Sequence, residues 1–148
     1  MKKFLLLFFA LIIGANFAQA QRKDVTMGPV LEKALSSIDL IENDHDMEIV
    51  RLEFDIVKSS KDSYRTLTKN YEYTIVAFAD DRVKDIDVAL YKRVGNEWVQ
   101  VASDNDNSDI AVMSYTPTET ANYKVVVSVY AFNSGYSAAH YGLIYFHE

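Results

Sequence analysis

The sequence predicts an all-β protein: an antiparallel jelly-roll-like β-sandwich of about eight strands, preceded by one N-terminal amphipathic helix. Three observations support this prediction. Apolar and polar residues alternate with a period of two in several short segments after residue 46, which is typical of half-buried antiparallel strands. Turn residues separate these segments at short, regular intervals, and no helical period lies between them. Such spacing favours a sandwich over a parallel α/β sheet.

The composition excludes several classes of protein. The chain has 148 residues, which is enough for one domain with its own core. Hydrophobic residues make up 49% and aromatic residues 13%, which is not the composition of a disordered chain. The net charge is −6 and no basic cluster lies beyond the extreme N-terminus, so we expect no nucleic-acid partner. Because cysteine is absent, disulfides, thiol catalysis and thiolate metal sites are excluded.

Residues 1–20 have the pattern of a secretory signal peptide. A positive pair, Lys2 and Lys3, precedes an unbroken apolar run over residues 4–13, and an Ala-Gln-Ala cleavage site ends at Ala20. The apolar run is too short to span a bilayer comfortably. We therefore predict a secreted or periplasmic protein with no stable membrane insertion after cleavage. An uncleaved N-terminal anchor is the alternative.

Residues 21–45 form a separate N-terminal segment that contains the predicted helix. Pro29 suits the first helical position, where its missing N–H is not needed. An apolar stripe at helical spacing follows. Its members are Val30, Leu31, Ala34, Leu35, Ile38 and Ile41. We predict that this stripe packs on the domain of residues 46–148, so that Leu35→Asp would destabilise the domain. A helix that binds a partner is the alternative.

Eight strands are predicted within residues 46–148. They cover residues 47–56, 64–68, 71–79, 86–91, 98–101, 110–115, 123–132 and 141–146. The first strand alternates, with Val50, Leu52, Phe54 and Ile56 on its apolar face. Gly95 is placed to make the turn of a hairpin between the fourth and fifth strands.

Alternation in the seventh strand separates a core face from an outer face. The core face carries Tyr123, Val125, Val127 and Val129, and the opposite face carries Lys124, Val126, Ser128, Tyr130 and Phe132. The opposite face is either open or covered by the N-terminal helix. If it is open, we predict that Tyr130 and Phe132, with Tyr136 in the next turn, contact a ligand, because exposed aromatic rings stack on sugars or anchor proteins. The partner would be an extracellular protein or glycan. A purely structural role is the alternative.

An acidic loop at residues 103–109 is a candidate calcium site. The candidate ligands are Asp104, Asp106, Ser108 and Asp109, which place side-chain oxygens at nearly alternate positions. An EF-hand is excluded, since its glycine and glutamate positions hold other residues. Further carboxylates would contribute if their segment lies near this loop: Asp80, Asp81, Asp85 and Asp87. A solvated acidic turn is the alternative.

The order of motifs in residues 83–132 points to a known family. Asp85 and Asp87 begin a strand, a Ser-Asp-Asn-Asp run covers residues 103–106, and a Thr-Pro pair precedes an Asn-Tyr pair that ends at Tyr123. In this order the chain resembles the bacterial pre-peptidase C-terminal domain family over about residues 47–146. The resemblance implies a secreted β-sandwich that accompanies an exported hydrolase, and calcium binding as in some members. The chain departs from the family at Asn122, where glycine is common.

No catalytic residue is predicted. The histidines, His45, His140 and His147, fall at no metal-ligand spacing, and no serine lies in a Gly-x-Ser-x-Gly elbow. We therefore predict a secreted, non-catalytic binding or accessory module. The alternatives are a small secreted hydrolase and a structural or folding-aid domain of a surface assembly.

Overall fold

The protein is an eight-stranded β-sandwich with one helix packed on its outside. The computed structural model describes residues 27–148, so the predicted signal peptide lies outside the described residues. Helix α1 is Met27–Asp39, and a π-helical turn at Leu40–Asp44 continues it. The strands are β1 Glu48–Val57, β2 Ser60–Leu67, β3 Tyr73–Ala79, β4 Val83–Val94, β5 Glu97–Asp104, β6 Ile110–Tyr115, β7 Ala121–Phe132 and β8 Ala139–His147.

The strand order is that of a jelly roll. Sheet A contains β1, β8, β3 and β6 in that order, and sheet B contains β2, β7, β4 and β5. All neighbouring strands are antiparallel. Between β1 and β8 the chain changes sheet at every connection except the β4–β5 hairpin, which stays within sheet B. This topology confirms the predicted fold class.

The predicted strands are all present, and several are longer than the sequence indicated. Strand β2 begins at Ser60, four residues before its predicted start, because Ser60 already pairs with Ser128 of β7. The hairpin turn was predicted correctly, and Gly95 adopts a φ of 62° there, a conformation that glycine adopts without strain. Within residues 27–148, no helix combines the length and the apolar character that crossing a membrane requires.

The core lies between the inner faces of the two sheets. Strand β7 contributes Tyr123, Val125 and Val127, each at most 1% exposed, and Val129 packs at the border of the core. This confirms the predicted inner face of β7. Phe132, in contrast, packs against the core rather than on the outer face. The register between β4 and β7 shifts near Phe132. The strict alternation that predicted an outward position for this residue is therefore lost.

Helix α1 covers the outer face of sheet A. Val30 and Ala34 are buried in an apolar cluster with Phe78 of β3 and Ile144 of β8. Strand β8 is therefore buried on both faces, with alternate residues in the core and under the helix. The helix thus packs on the sandwich by an apolar face, as its amphipathic pattern suggests.

The buried face of α1 is narrower than the predicted stripe. Leu31 is 44% exposed and Leu35 is 66% exposed, so the expectation that Leu35→Asp would destabilise the domain is wrong. The physical reason is the rotation of the helix. The Nζ atom of Lys33 donates to the carbonyl oxygen of Ala79 at 2.8 Å and pairs with Asp109 at 2.8 Å. Lys33 therefore lies on the flank of α1 next to β3 and the start of β6, whereas Leu31 and Leu35, about half a turn around the helix from it, lie on the outward flank.

Three of the four residues on the predicted apolar face of β1, Leu52, Phe54 and Ile56, face away from the core, whereas Val50 packs against it. The register of β1 shifts between Ile49 and Arg51, which breaks the alternation on which the prediction depended. Phe54 packs against the cluster under α1, whereas Leu52 and Ile56 are 39% and 47% exposed. Glu53 lies on the other side of the strand, and its Oε1 accepts a hydrogen bond from Ser63 of β2 at 2.8 Å. Because β1 and β2 are the edge strands of their sheets, such polar contacts close the sandwich along this edge.

Candidate functional site

The outer face of sheet B carries rows of polar and aromatic side chains that the strand register brings together. Tyr64 of β2 pairs with Lys124 of β7, and Lys124 pairs with Tyr91 of β4. In the next row toward the β4–β5 hairpin, Arg93 of β4 pairs with Trp98 of β5. Directly paired residues project to the same face of a sheet, so these side chains share one surface.

Three aromatic rings on this surface form what we term the aromatic cluster: Tyr64, Tyr91 and Trp98. The rings of Tyr64 and Trp98 lie 5.7 Å apart, centroid to centroid, and are tilted by 58°. The ammonium group of Lys124 lies 4.9 Å from the centre of the Tyr91 ring and 5.5 Å from that of Trp98, within the range of cation–π attraction. Tyr64 is 55% exposed, so a ligand has access to the cluster.

A groove of about 480 Å³ opens beside the aromatic cluster. We call it the arginine groove. Its lining residues are Arg51, Tyr64, Arg65, Thr66, Arg93, Trp98 and Asn122. The volume falls within the ~300–1,000 Å³ that small-ligand sites occupy. The lining contains three guanidinium groups and no carboxylate, although the chain as a whole is acidic.

The three arginines of the groove differ in how far their charge is neutralised. Arg51 forms an ion pair with Glu53. Arg65 donates to the carbonyl oxygen of Val50 at 3.2 Å, while its Nε is buried without a hydrogen-bond partner. Arg93 donates only to the carbonyl oxygen of Gly95, at 3.3 Å. Among residues 27–148, no carboxylate pairs with Arg65 or Arg93. Arg65 also lies over the ring of Tyr145, 5.7 Å from its centre. The groove therefore holds positive charge that no carboxylate of the described residues neutralises.

The predicted ligand-contact residues lie apart from this groove. Tyr130 is 79% exposed and Tyr136 is 52% exposed, but Phe132 is partly buried against the core. Tyr130 is six residues beyond Lys124 on β7, which corresponds to about 20 Å along the strand. The structure therefore does not unite these three aromatic residues with the aromatic cluster.

Sequence reasoning missed most of the aromatic cluster, although one signal was available. A two-residue hairpin turn at Gly95 and Asn96 fixes the register of its strands, which places Arg93 opposite Trp98. The proximity of Tyr64 has no such local signal, because β2 reaches this face only through its pairing with β7.

The predicted calcium ligands are largely engaged by the loop itself. Asp104 accepts hydrogen bonds from the backbone N–H groups of Asp106, at 3.0 Å, and Val112, at 2.7 Å. Ser108 accepts from the N–H of Ile110 at 3.1 Å, and Asp109 pairs with Lys33 of α1. In the described part of the chain, no three or more His, Cys, Asp or Glu side chains are grouped so that they could hold a metal ion. Calcium binding stays a prediction.

A second set of carboxylates lies on β4, near this loop. The Ser108 carbonyl oxygen accepts a hydrogen bond from Ile86 N–H at 2.8 Å, which brings the loop to β4. Asp85 is 6% exposed and its Oδ1 has no hydrogen-bond partner. Burial raises the pKa of Asp87, and the nearby charges of Asp85 and Asp104 raise it further. The ionised form of Asp87 is therefore disfavoured by burial and by its two acidic neighbours.

Buried charge at the β3–β4 connection serves the fold. Asp80, 2% exposed, accepts from the Arg82 guanidinium, with a shortest distance of 2.6 Å, and from the His140 N–H at 2.9 Å. Burial raises the pKa of Asp80, but the hydrogen bonds from Arg82 and His140 outweigh this effect, so the pKa lies below its ordinary value. Arg82 also donates to Nδ1 of His140 at 3.0 Å, which makes that nitrogen an acceptor.

The other histidines lie elsewhere. His45 is exposed between the π-helical turn and β1, and the His147 ring packs edge-on to Tyr71 and Tyr73. His140 and His147 occupy opposite ends of β8, about 23 Å apart along the strand. The three histidines are therefore not brought together.

Comparison with known proteins identifies shared architecture. A scan of protein-family models gives no match, and a search of curated proteins gives none either. Among solved structures, the surface-associated copper-binding protein of Methylomicrobium album BG8 aligns with a TM-score of 0.55 at 9% identity, over 66% of this chain and 93% of that one. Identity this low shows a common β-sandwich fold and nothing about the ligand.

Two further structures align less closely. The pre-peptidase C-terminal domain of a collagenase from Bacillus anthracis has a TM-score of 0.49 and 10% identity, over 64% of this chain and 87% of that one. A periplasmic inhibitor of g-type lysozyme from Aeromonas hydrophila has a TM-score of 0.43 and 7% identity, over 66% and 85% of the two chains.

Proposed function

We propose that this protein is a non-catalytic binding module of the cell exterior or periplasm, which binds a glycan at the aromatic cluster and the arginine groove on sheet B. The observation that carries the proposal is the ring pair of exposed Tyr64 and half-buried Trp98 beside a groove whose lining holds three arginines and no carboxylate. The export signal predicted at residues 1–20 supports the location, and the resemblance to pre-peptidase C-terminal domains supports an accessory role.

The composition of the surface favours a sugar over a flat protein partner. The tilted rings of Tyr64 and Trp98 present apolar area on which a sugar ring can stack. Thr66 and Asn122, hydrogen-bonded to each other at 2.7 Å, lie beside the rings in the groove, where they offer further donors and acceptors to sugar hydroxyl groups. Apolar walls with a few fixed polar groups are the usual design of a small-ligand site.

Two acidic groups outside the groove, Asp80 and Glu53, are held by structural partners, which supports a binding role over catalysis. Asp80 ties the β3–β4 connection to β8 through Arg82 and His140. Glu53 ties β1 to β2 through Ser63. Neither set combines a nucleophile with a general base in a cleft, as hydrolysis would require.

Native gel electrophoresis through soluble polysaccharides tests this proposal. A polysaccharide that binds the protein slows its migration through the gel. For such a polysaccharide, we expect Trp98→Ala to lower the affinity about tenfold or more, because an aromatic anchor at the centre of a site contributes much of the binding energy. The matched control is Tyr130→Ala with Tyr136→Ala, which removes exposed rings elsewhere. If the control abolishes retardation while Trp98→Ala does not, and both variants keep the native melting temperature, the site lies at the originally predicted residues and the proposal fails.

A further inference from the structure

We infer that the glycan is acidic, so that its carboxylate or sulfate groups bind the guanidinium groups of the arginine groove while its sugar rings stack on Trp98 and Tyr64. This inference rests on the proposed function and specifies the ligand of the same site. The key observation is that a groove lined by Arg51, Arg65 and Arg93 contains no carboxylate, on a chain with a net charge of −6.

The uncompensated charge is concentrated on two of the three arginines. Arg51 is neutralised by Glu53. Arg65 and Arg93 have only carbonyl oxygens as hydrogen-bond acceptors among the described residues. A guanidinium has five N–H donors, so each retains donors for a ligand. A buried N–H without a partner, such as Nε of Arg65, is unfavourable, and an anion in the groove would lower the desolvation penalty of this guanidinium.

The arrangement of donors and rings matches an anionic sugar. A guanidinium binds a carboxylate or a sulfate through two parallel N–H···O bonds, which gives direction as well as charge. Arg93 is paired with Trp98 across the hairpin, so that a sugar stacked on the indole places a ring substituent near this guanidinium. Both uronic-acid and sulfated glycans supply the required oxygens.

A nucleic-acid strand fits the surface less well. Successive bases require a series of stacking platforms along a continuous basic track. Here the Tyr64 and Trp98 rings are tilted by 58° and form a cleft, while Asp62 and Glu119 pair with the flanking lysines Lys124 and Lys92. The unpaired positive charge is therefore local, which suits a few charged groups on a short glycan.

Isothermal titration calorimetry of the purified protein tests the inference with three probes: hexagalacturonate, a heparin-derived hexasaccharide and neutral maltohexaose. We expect one acidic probe to bind at least about tenfold more tightly than maltohexaose, and 0.5 M NaCl to weaken this binding severalfold by screening. Arg93→Gln should weaken binding about tenfold, since it removes a charge-assisted hydrogen bond. The control Lys84→Gln removes an exposed cation at the other end of β4 and should leave affinity unchanged. The acidic probe that binds identifies carboxylate or sulfate recognition.

Each other result overturns the inference. Equal affinity for maltohexaose and the acidic probes, lost in Trp98→Ala, would leave a neutral glycan site and the proposed function intact. Binding of hexathymidylate in preference to all three sugars would identify a nucleic-acid site. Acidic binding that Lys84→Gln weakens as much as Arg93→Gln would reflect non-specific charge attraction. Absence of binding to both acidic probes would exclude the acidic-glycan site itself.

Discussion

The inner faces of the two sheets are both apolar, whereas their outer faces differ in polarity and in what covers them. On sheet A, apolar side chains such as Phe78 and Ile144 fill the outer face and lie under helix α1. On sheet B, Lys124, Tyr91 and Trp98 occupy the outer face, and within residues 27–148 helix α1 packs on sheet A instead. One outer face is therefore a second core, whereas the other is available to a ligand.

The difference is visible in the burial of the central strands. Strand β8 of sheet A is buried at six consecutive positions, from Tyr141 to Phe146, because both of its faces are covered. In strand β7 of sheet B, fully buried residues alternate with more exposed ones from Tyr123 to Val127. A continuous apolar strand thus indicates a covered sheet, and an alternating one indicates a sheet with an accessible face.

The largest expected effect comes from breaking the helix–sheet contact on sheet A. Ala34 is 2% exposed between α1 and this sheet, and Ala34→Asp would bury an unpaired carboxylate. We expect the free energy of unfolding to fall by about 2–4 kcal/mol, measured by urea denaturation.

The matched control is Leu35→Asp, one residue further along the helix. Leu35 is 66% exposed, so its replacement should change the free energy of unfolding by no more than about 0.5 kcal/mol. Equal effects of the two substitutions would mean that α1 does not pack on sheet A as described.

A smaller effect is expected at Asp80, where a buried carboxylate connects β3 and β4 to β8. Its pKa is lower in the folded protein than the ordinary value of 3.8, so the ionised form stabilises the fold. This stabilisation is present above about pH 4 and is lost as the pH falls through the lower, folded-state pKa. Asp80→Asn should be less stable at pH 7 by about 2 kcal/mol, and should lose less stability than the parent protein on acidification.

Urea denaturation from pH 7 down to pH 2 measures this difference. Parallel stability curves for the parent protein and Asp80→Asn would contradict the assignment of the low pKa to Asp80. Asp80 precedes the start of β4, whereas Arg93 of the groove lies near the other end of that strand, so glycan binding by this variant at pH 7 should be unchanged.

The smallest expected effect is the stabilisation by Ca²⁺ bound between the acidic loop at residues 103–109 and the start of β4. The charges of Asp85 and Asp104 raise the pKa of Asp87, and a bound cation would offset this effect. If the sequence-based calcium prediction is correct, millimolar Ca²⁺ raises the melting temperature by a few degrees by mass action, and the change is lost in Asp87→Asn. Superimposable melting curves in Ca²⁺ and EDTA would refute it.

The architecture was predictable from the sequence because it depends on local patterns. Alternation in residues such as Val125 and Val127, and the turn at Gly95, fix the strands and a hairpin without knowledge of distant contacts. The orientation of α1 was not predictable, since it depends on contacts between distant parts of the chain, such as those of Val30 and Ala34 with Phe78 and Ile144. Leu35 therefore looked like a core residue.

The candidate site was harder to predict than the fold. Tyr64 and Trp98 are far apart in sequence and meet only through the register of four strands. Conversely, alternation along β7 predicted that Phe132 lies on the outer face, but the register shift at the end of the strand directs it toward the core. Long-range pairing and local irregularity are the two features that a periodic pattern does not encode.

The fluorescence of Trp98 tests the central claim most directly, because it is the only tryptophan of the chain and lines the arginine groove. We predict that titration with the acidic hexasaccharide that binds in calorimetry changes the tryptophan emission saturably, with the same dissociation constant. Arg93→Gln should show no such change at the same concentrations. Calorimetric binding with unchanged Trp98 emission would contradict the account and place the ligand elsewhere on the protein.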